Sequence, residues 1–304
     1  MPRRAYPARM RPFDDIARLE RAKALDRPAA VIRGVVQRLL RNRTLKDALH
    51  GVWLGHPLHP ALAQVALGSL VSASLIDAVG GGRRESSGLI AVGLASTVPT
   101  VAAGWADWSD SHEDQQRVGL VHAALNATAV ACFAASLVRR RGDRGTGRLL
   151  SLLGGTLSVA GAALGGHLGY RQATGANHGE EVPHVGPGDW QVLGPLEEFP
   201  LGQPVRRLAG DVPVFVLRRG GISSDVTVLS DRCPHLSAPL HEGELSEVGG
   251  EVCITCPWHA SVFRLRDGGV VHGPATAPVP GFESRVEGGV LQTRVRTLPG
   301  VPAS

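Results

Sequence analysis

Aromatic residues are scarce in this 304-residue chain, where 5 Trp, 2 Tyr and 6 Phe make up 4% of the total. That excludes a core built on large rings. It also excludes the interleaving of aromatic and basic side chains on which single strands stack, so no nucleic-acid partner is expected despite a net charge of +5. Cysteine is scarcer still: four are too few for a disulfide-built secreted scaffold. Three of them, Cys233, Cys253 and Cys256, crowd near the C-terminus, while Cys132 sits in an apolar run. Such crowding points to metal rather than to cross-links. Charge is absent from long stretches. Residues 88–106, 118–138 and 149–170 contain no Asp, Glu, Lys or Arg, and 61–79 contain only Asp77, whereas 1–46 carry 13 Lys and Arg. One uniform globule is therefore excluded, and the length allows about two domains of ~150 residues.

The four apolar runs are each about as long as the ~20 residues a bilayer span requires. They are rich in Gly, Ala and Ser, and Gly161-x-x-x-Gly165 and Gly154-Gly155 suit close packing of helices through small residues. The expected fold is an α-helical four-helix transmembrane bundle over 51–171, with helices at about 61–79, 88–106, 118–138 and 149–170. Pro99 is expected to kink the second. A basic segment over 1–50 precedes the bundle. In it Ile32, Val35, Val36, Leu39 and Leu40 recur at helical spacing against Arg33, Arg38 and Arg41. This pattern suits an interfacial helix on anionic lipid, with an ordinary surface helix or a basic tail as the alternatives.

Four spans place the N-terminal segment, the loop between helices two and three and everything after helix four on one membrane face. Trp53, Trp105, Trp108 and Tyr170 fall there, as an interfacial belt requires. So does every histidine upstream of residue 190, whereas the two loops of the opposite face, 80–87 and 139–148, contain none.

Residues 172–189 read as a Gly- and Pro-rich linker. Short Val-rich runs beyond it, separated by turn residues, indicate an all-β domain over 190–298. It contains Cys233-Pro234-His235 and, after 20 residues, Cys256-Pro257-Trp258-His259. The stretches Cys-Pro-His-Leu-Ser-Ala-Pro-Leu (233–240), Cys-Pro-Trp-His-Ala-Ser-Val-Phe (256–263) and Gly-Pro-Ala (273–275) resemble Rieske ferredoxin-type domains. The resemblance implies a [2Fe-2S] cluster with Cys233 and Cys256 on one iron and His235 and His259 on the other. A zinc site in a non-redox membrane module is the alternative, because Cys253-Ile-Thr-Cys256 is itself a C-x-x-C. It would leave His259 without a role. Cys253 is read as a buried strand residue, and His241 and His272 as surface or loop residues. The 20-residue interval exceeds the usual spacing, the excess being assigned to a turn at Glu244–Gly250. The chain lacks the extra loop cysteines of the high-potential respiratory type, and Phe263 stands where that type has a tyrosine. Ser261 remains as a hydroxyl donor to a cluster sulfur. Fewer donors imply a midpoint in the lower part of the roughly −150 to +300 mV Rieske range.

Upstream, Gly55-His56-Pro57-Leu58-His59-Pro60, Gly104-Trp105-Ala106-Asp107, His122 with Asn126, and Gly165-Gly166-His167 resemble an uncharacterised family of four-helix bacterial membrane proteins. Ionisable groups within spans are functional candidates. His56, His59, His122 and His167 are therefore candidate ligands for a haem b or a quinone, with backbone hydrogen bonding at the interface as the alternative.

Arg83, Arg84, Arg139, Arg140, Arg141, Arg144 and Arg148 favour a cytoplasmic location for the histidine-free face. Translocation of thirteen charges without a signal sequence, and the lack of a disulfide, favour the reverse. The latter reading puts the β domain in the cytoplasm of a multi-pass bacterial cell-membrane protein. Only 45 residues follow His259, too few for the mononuclear iron domain of an oxygenase catalytic subunit. The expectation is an electron-transfer component rather than a stand-alone catalyst. It would exchange single electrons with a redox partner protein (a reductase, an oxygenase or a respiratory component), or serve as a subunit of a quinone- or haem-linked oxidoreductase.

Overall fold

The computed structural model describes residues 16–222 and 225–296. The first fifteen residues of the basic segment and the last two of the expected 190–298 domain lie outside the described residues. Two compact units emerge, one made of Met1–Leu39 and Pro60–Thr174, the other of Leu40–His59 and Gly175–Ser304. The helices in chain order are α1 (Ile16–Leu19), α2 (Asp26–Leu39), α3 (Arg43–His50), α4 (Leu58–Ala78), α5 (Arg83–Ser109), α6 (Glu113–Arg139), α7 (Arg144–Gly166) and α8 (Val182–Val185).

Helices α4 to α7 are long and apolar enough to cross a membrane, and only 22–33% of each apolar window is buried inside the protein. Their outward faces carry exposed Val65, Val92, Val98, Leu153 and Val159, a surface that water would penalise and lipid would not. Two of the four starts are capped. Asp143 caps α7 by accepting from the Thr146 N–H at 3.1 Å, and the His112 N–H donates back to Gln115 Oε1 at 2.9 Å at the head of α6. Helix α5 runs unbroken through Pro99, and the Thr100 hydroxyl donates to the Ser96 carbonyl at 2.7 Å just beyond it. The small residues are where the helices meet. A Cβ on Gly154 would stand 2.9 Å from the Phe133 ring, and Leu70, Ala73, Ile90 and Phe133 form the apolar centre of the bundle.

Polar side chains fill the two ends. Asp77, near the end of α4, pairs with Arg140, which also donates to Ser86 Oγ at 2.8 Å and Ser136 Oγ at 3.0 Å. At the opposite end of α6, Arg117 donates to Asp26 at 2.5 Å and to the Glu20 carbonyl at 2.7 Å, tying the N-terminal helices to the bundle. Helix α2 buries Ala29 and Val36 and leaves Val31, Val35 and Leu39 exposed along a separate stripe.

Among its described residues the second unit holds ten strands, β1 (Gln191–Pro195), β2 (Pro204–Ala209), β3 (Val212–Arg218), β4 (Val226–Ser230), β5 (Glu244–Val248), β6 (Glu251–Thr255), β7 (Val262–Arg264), β8 (Val270–His272), β9 (Phe282–Glu287) and β10 (Val290–Val295). They form sheets β1-β10-β9, β2-β3-β4 and β5-β6-β7-β8, all antiparallel. The segment expected to be a turn at Glu244–Gly250 is mostly strand. Glu244–Val248 pairs with Glu251–Thr255, and only Gly249 and Gly250, at φ of 62° and 79°, make the two-residue turn that such a hairpin requires. One apolar core, with Phe215, Leu217, Leu240, Ile254 and Phe263, includes Cys233 and Cys256.

Candidate metal centre

Strands β4 and β5 are joined by a first loop, β6 and β7 by a second. In the first, the Cys233 N–H donates to the Ala238 carbonyl at 2.9 Å and the Ser237 N–H to the Cys233 carbonyl at 2.8 Å. In the second, the Cys256 N–H donates to the Ser261 carbonyl at 2.8 Å and the Ala260 N–H to the Cys256 carbonyl at 3.1 Å. The two loops are thus copies of one six-residue backbone turn, each with Pro directly after Cys.

The copies face each other. The Cys233 and Cys256 thiols hydrogen-bond together, which raises Cys233 well above the ordinary thiol value and draws Cys256 down to about 7. Backbone N–H groups of Trp258 and His259 also stabilise the Cys256 sulfur, and those of His235 and Leu236 the Cys233 sulfur. The imidazoles of His235 and His259 meet edge to face, centroids 5.0 Å apart at 89°. Both sulfurs are buried and both imidazoles half-buried. The donor set therefore divides into a thiol pair and an imidazole pair, which suits a binuclear group taking one pair per metal.

A family model for the Rieske [2Fe-2S] domain matches residues 189–283. The ferredoxin subunit of anthranilate 1,2-dioxygenase from Burkholderia cepacia is 31% identical over 107 residues, covering 35% of this chain and 93% of the relative. The chain belongs to the Rieske [2Fe-2S] family. The ferredoxin subunit of 3-phenylpropionate/cinnamic acid dioxygenase from Escherichia coli K12 is 33% identical over 95 residues, covering 31% of this chain and 83% of the relative. The solved ferredoxin of carbazole 1,9a-dioxygenase from Nocardioides aromaticivorans is 25% identical, covering 35% of this chain and 98% of that one, with a TM-score of 0.32. A second model, described as a predicted membrane protein (DUF2231), matches residues 55–178. The protein is thus a membrane-helix domain fused to a Rieske domain, whose cofactor is a [2Fe-2S] cluster and whose work is electron transfer.

Other candidate residues of the Rieske domain have separate partners. Ser261 is fully buried, and its Oγ accepts from the Ala275 N–H at 3.0 Å, leaving its own O–H free to be donated. Cys253 is buried on β6 and contacts the Glu251 carbonyl at 3.4 Å, and burial raises its thiol. His241, in the loop between β4 and β5, and His272, at the end of β8, are half-buried. The Nδ1 atoms lie 2.8 Å from Asp231 and 2.7 Å from Asp47 respectively, and burial pushes the Asp231 carboxyl up.

The membrane histidines are engaged locally. His122 Nδ1 lies 2.8 Å from the Gly161 carbonyl, with the Asn126 amide 3.3 Å from Nε2. The absent side chains of Gly161 and Gly165 make room for these two residues. His167, buried in a π-helical turn, has Nε2 2.7 Å from Glu20. His56 is exposed with Nδ1 3.0 Å from the Pro57 carbonyl, and His59 lies in the first turn of α4.

Glu20 was not among the sequence candidates, and neither were the backbone donors around the sulfurs. The donors carry no side-chain signal, and Glu20 is distant in sequence from the histidine it meets.

Proposed function

We propose that this protein is a membrane-anchored one-electron carrier in which Cys233 and Cys256 hold one iron of the cluster and His235 and His259 the other. The observation that carries the reading is the pair of loops that share one backbone hydrogen-bond pattern and present two facing thiols and two facing imidazoles. When bound, the cluster supplies a single-electron couple. The protein's own contribution is to bury the sulfurs, supply backbone N–H groups that stabilise added negative charge on them, and keep the imidazole edge open to a partner. Trp258, 49% exposed beside His259, gives that edge an apolar contact point. The similar ferredoxin subunits belong to dioxygenases, which supports a reductase or oxygenase as the partner here, with a respiratory component in the same chemical role. Helices α4 to α7 serve as the anchor, and the basic N-terminal segment supports a cytoplasmic location for the Rieske domain.

Electron paramagnetic resonance of the dithionite-reduced full chain tests the reading. A rhombic iron–sulfur signal is expected. A silent spectrum with stoichiometric zinc would overturn it in favour of the non-redox module. Protease access to the Rieske domain in inverted but not in right-side-out vesicles is expected for the cytoplasmic orientation, and the opposite access would reverse it.

A further inference from the structure

The family match begins at residue 189, yet the compact unit that contains it also takes in Leu40–His59. Within that unit α3 is attached to the loops around the sulfurs. Asp47 accepts from the Gly273 N–H at 3.0 Å through Oδ1 and lies 2.7 Å from His272 Nδ1 through Oδ2. Arg43 donates to the Ala260 carbonyl of the second loop at 3.2 Å. Gly273 leaves no space above it, since a Cβ there would stand 3.0 Å from Val52 Cγ2 and 3.5 Å from His50 Cδ2. Two residues further on, Ala275 shares a core with Cys233 and Cys256 and donates to Ser261. The helix is itself well made: Asn42 caps it by accepting from the Leu45 N–H at 3.0 Å, and Gly51 ends it at φ 82°.

We propose that Asp47 is a positioning residue for the cluster. It pins the 272–275 loop against the second cysteine loop and holds a negative charge beside it, so a segment upstream of the membrane helices is a working part of the redox domain. The proposal rests on the assignment of the cluster to the two loops. Its physical basis is that a carboxylate accepting from a backbone N–H is among the stronger hydrogen bonds, and here it closes a contact across 226 positions of sequence.

The test uses the full chain in detergent with D47A and D47N. The alanine variant deletes the pin. Bleaching of the visible cluster absorbance by an iron chelator, and amide exchange over residues 271–276, are each expected to accelerate about tenfold, the effect of one charge-assisted hydrogen bond on loop opening. The asparagine variant keeps an oxygen for Gly273 but removes the charge. Its bleaching is expected near wild type, with the midpoint potential shifted to more positive values, because the reduced cluster loses a repelling neighbour. Wild-type bleaching and exchange in D47A would overturn the pin, and an unmoved potential in D47N would overturn the electrostatic half. Wild-type protein with no iron–sulfur absorbance would sink the cluster assignment instead, and amide exchange in D47A would still decide whether Asp47 holds the loop.

Discussion

Ser237 and Ala260 occupy the same place in two copies of one loop. Each is the fourth residue after its cysteine, each donates to that cysteine's carbonyl, and the φ angles are 63° and 58°. The copies differ only in where the imidazole departs, two residues after Cys233 and three after Cys256. A left-handed residue is what turns the chain back sharply enough for a six-residue loop to close. A side chain there costs about 1–2 kcal/mol, most for β-branched residues. Ser237→Gly and Ala260→Gly are therefore expected to fold and to retain iron. Ser237→Val and Ala260→Val should lose about 1–2 kcal/mol of thermal stability, together with bound iron, as read by calorimetry and iron analysis.

The donor set predicts a sharp division among the C-terminal cysteines. Cys233→Ser and Cys256→Ser should remove the visible spectrum, as should His235→Asn and His259→Asn. Cys253→Ala should retain it and cost about 1–2 kcal/mol for the small buried volume lost. Loss of the spectrum in Cys253→Ala would return the Cys253-x-x-Cys256 pair to consideration as a metal site.

Much of this was legible in the sequence because its signals are compositional or spaced. Four apolar runs, with Asp77 as their one charge, became four helices, and C-x-H with C-x-x-H became two facing loops. What could not be read depends on three-dimensional return of the chain. The hairpin at Glu244–Thr255 hides in a polar stretch where only Gly249-Gly250 marks the turn. Ser237 and Ala260 give no sign of a left-handed conformation that usually calls for Gly or Asn. The attachment of α3 to the Rieske domain follows from Asp47 meeting Gly273, a contact with no local signature.

Ser261 bears on the potential. Its Oγ already accepts from Ala275, so the hydroxyl proton remains to be donated to a cluster sulfur. A hydrogen bond donated to sulfur stabilises the more negative reduced state, so Ser261→Ala should lower the midpoint. A net hydrogen bond of about 1 kcal/mol corresponds to roughly 40 mV for a one-electron couple. Protein-film voltammetry measures it, and an unchanged or raised potential would remove Ser261 from the list of donors.

Helix α2 should lie at the membrane surface. Val31, Val35 and Leu39 follow one another at single-turn intervals and are 68%, 49% and 74% exposed, the exposed Arg27 and Arg38 flank that stripe, and the exposed Arg33 and Gln37 lie on the opposite side of the helix. Apolar side chains at the acyl boundary with arginines among the headgroups suit such a helix. A nitroxide at position 35 should relax faster with oxygen than with an aqueous nickel chelate, and one at position 37, on the opposite side of the helix, the reverse. Equal behaviour at both positions would place the helix in water.

The ion pair of Asp77 and Arg140 accounts for the only acidic residue within the four apolar runs. Both side chains are almost wholly buried, and the Arg148 guanidinium reaches the Asp77 backbone carbonyl from α7, so α4, α7 and the end of α6 meet at one residue. Removing either charge leaves the other without compensation in a medium that cannot solvate it, a loss of about 3–5 kcal/mol. Asp77→Ala and Arg140→Ala should each unfold at markedly lower SDS mole fraction than wild type. The double variant should recover most of the difference, because no lone charge remains. If the double variant were as unstable as the sum of the two single ones, the pair would be contributing only through separate packing contacts.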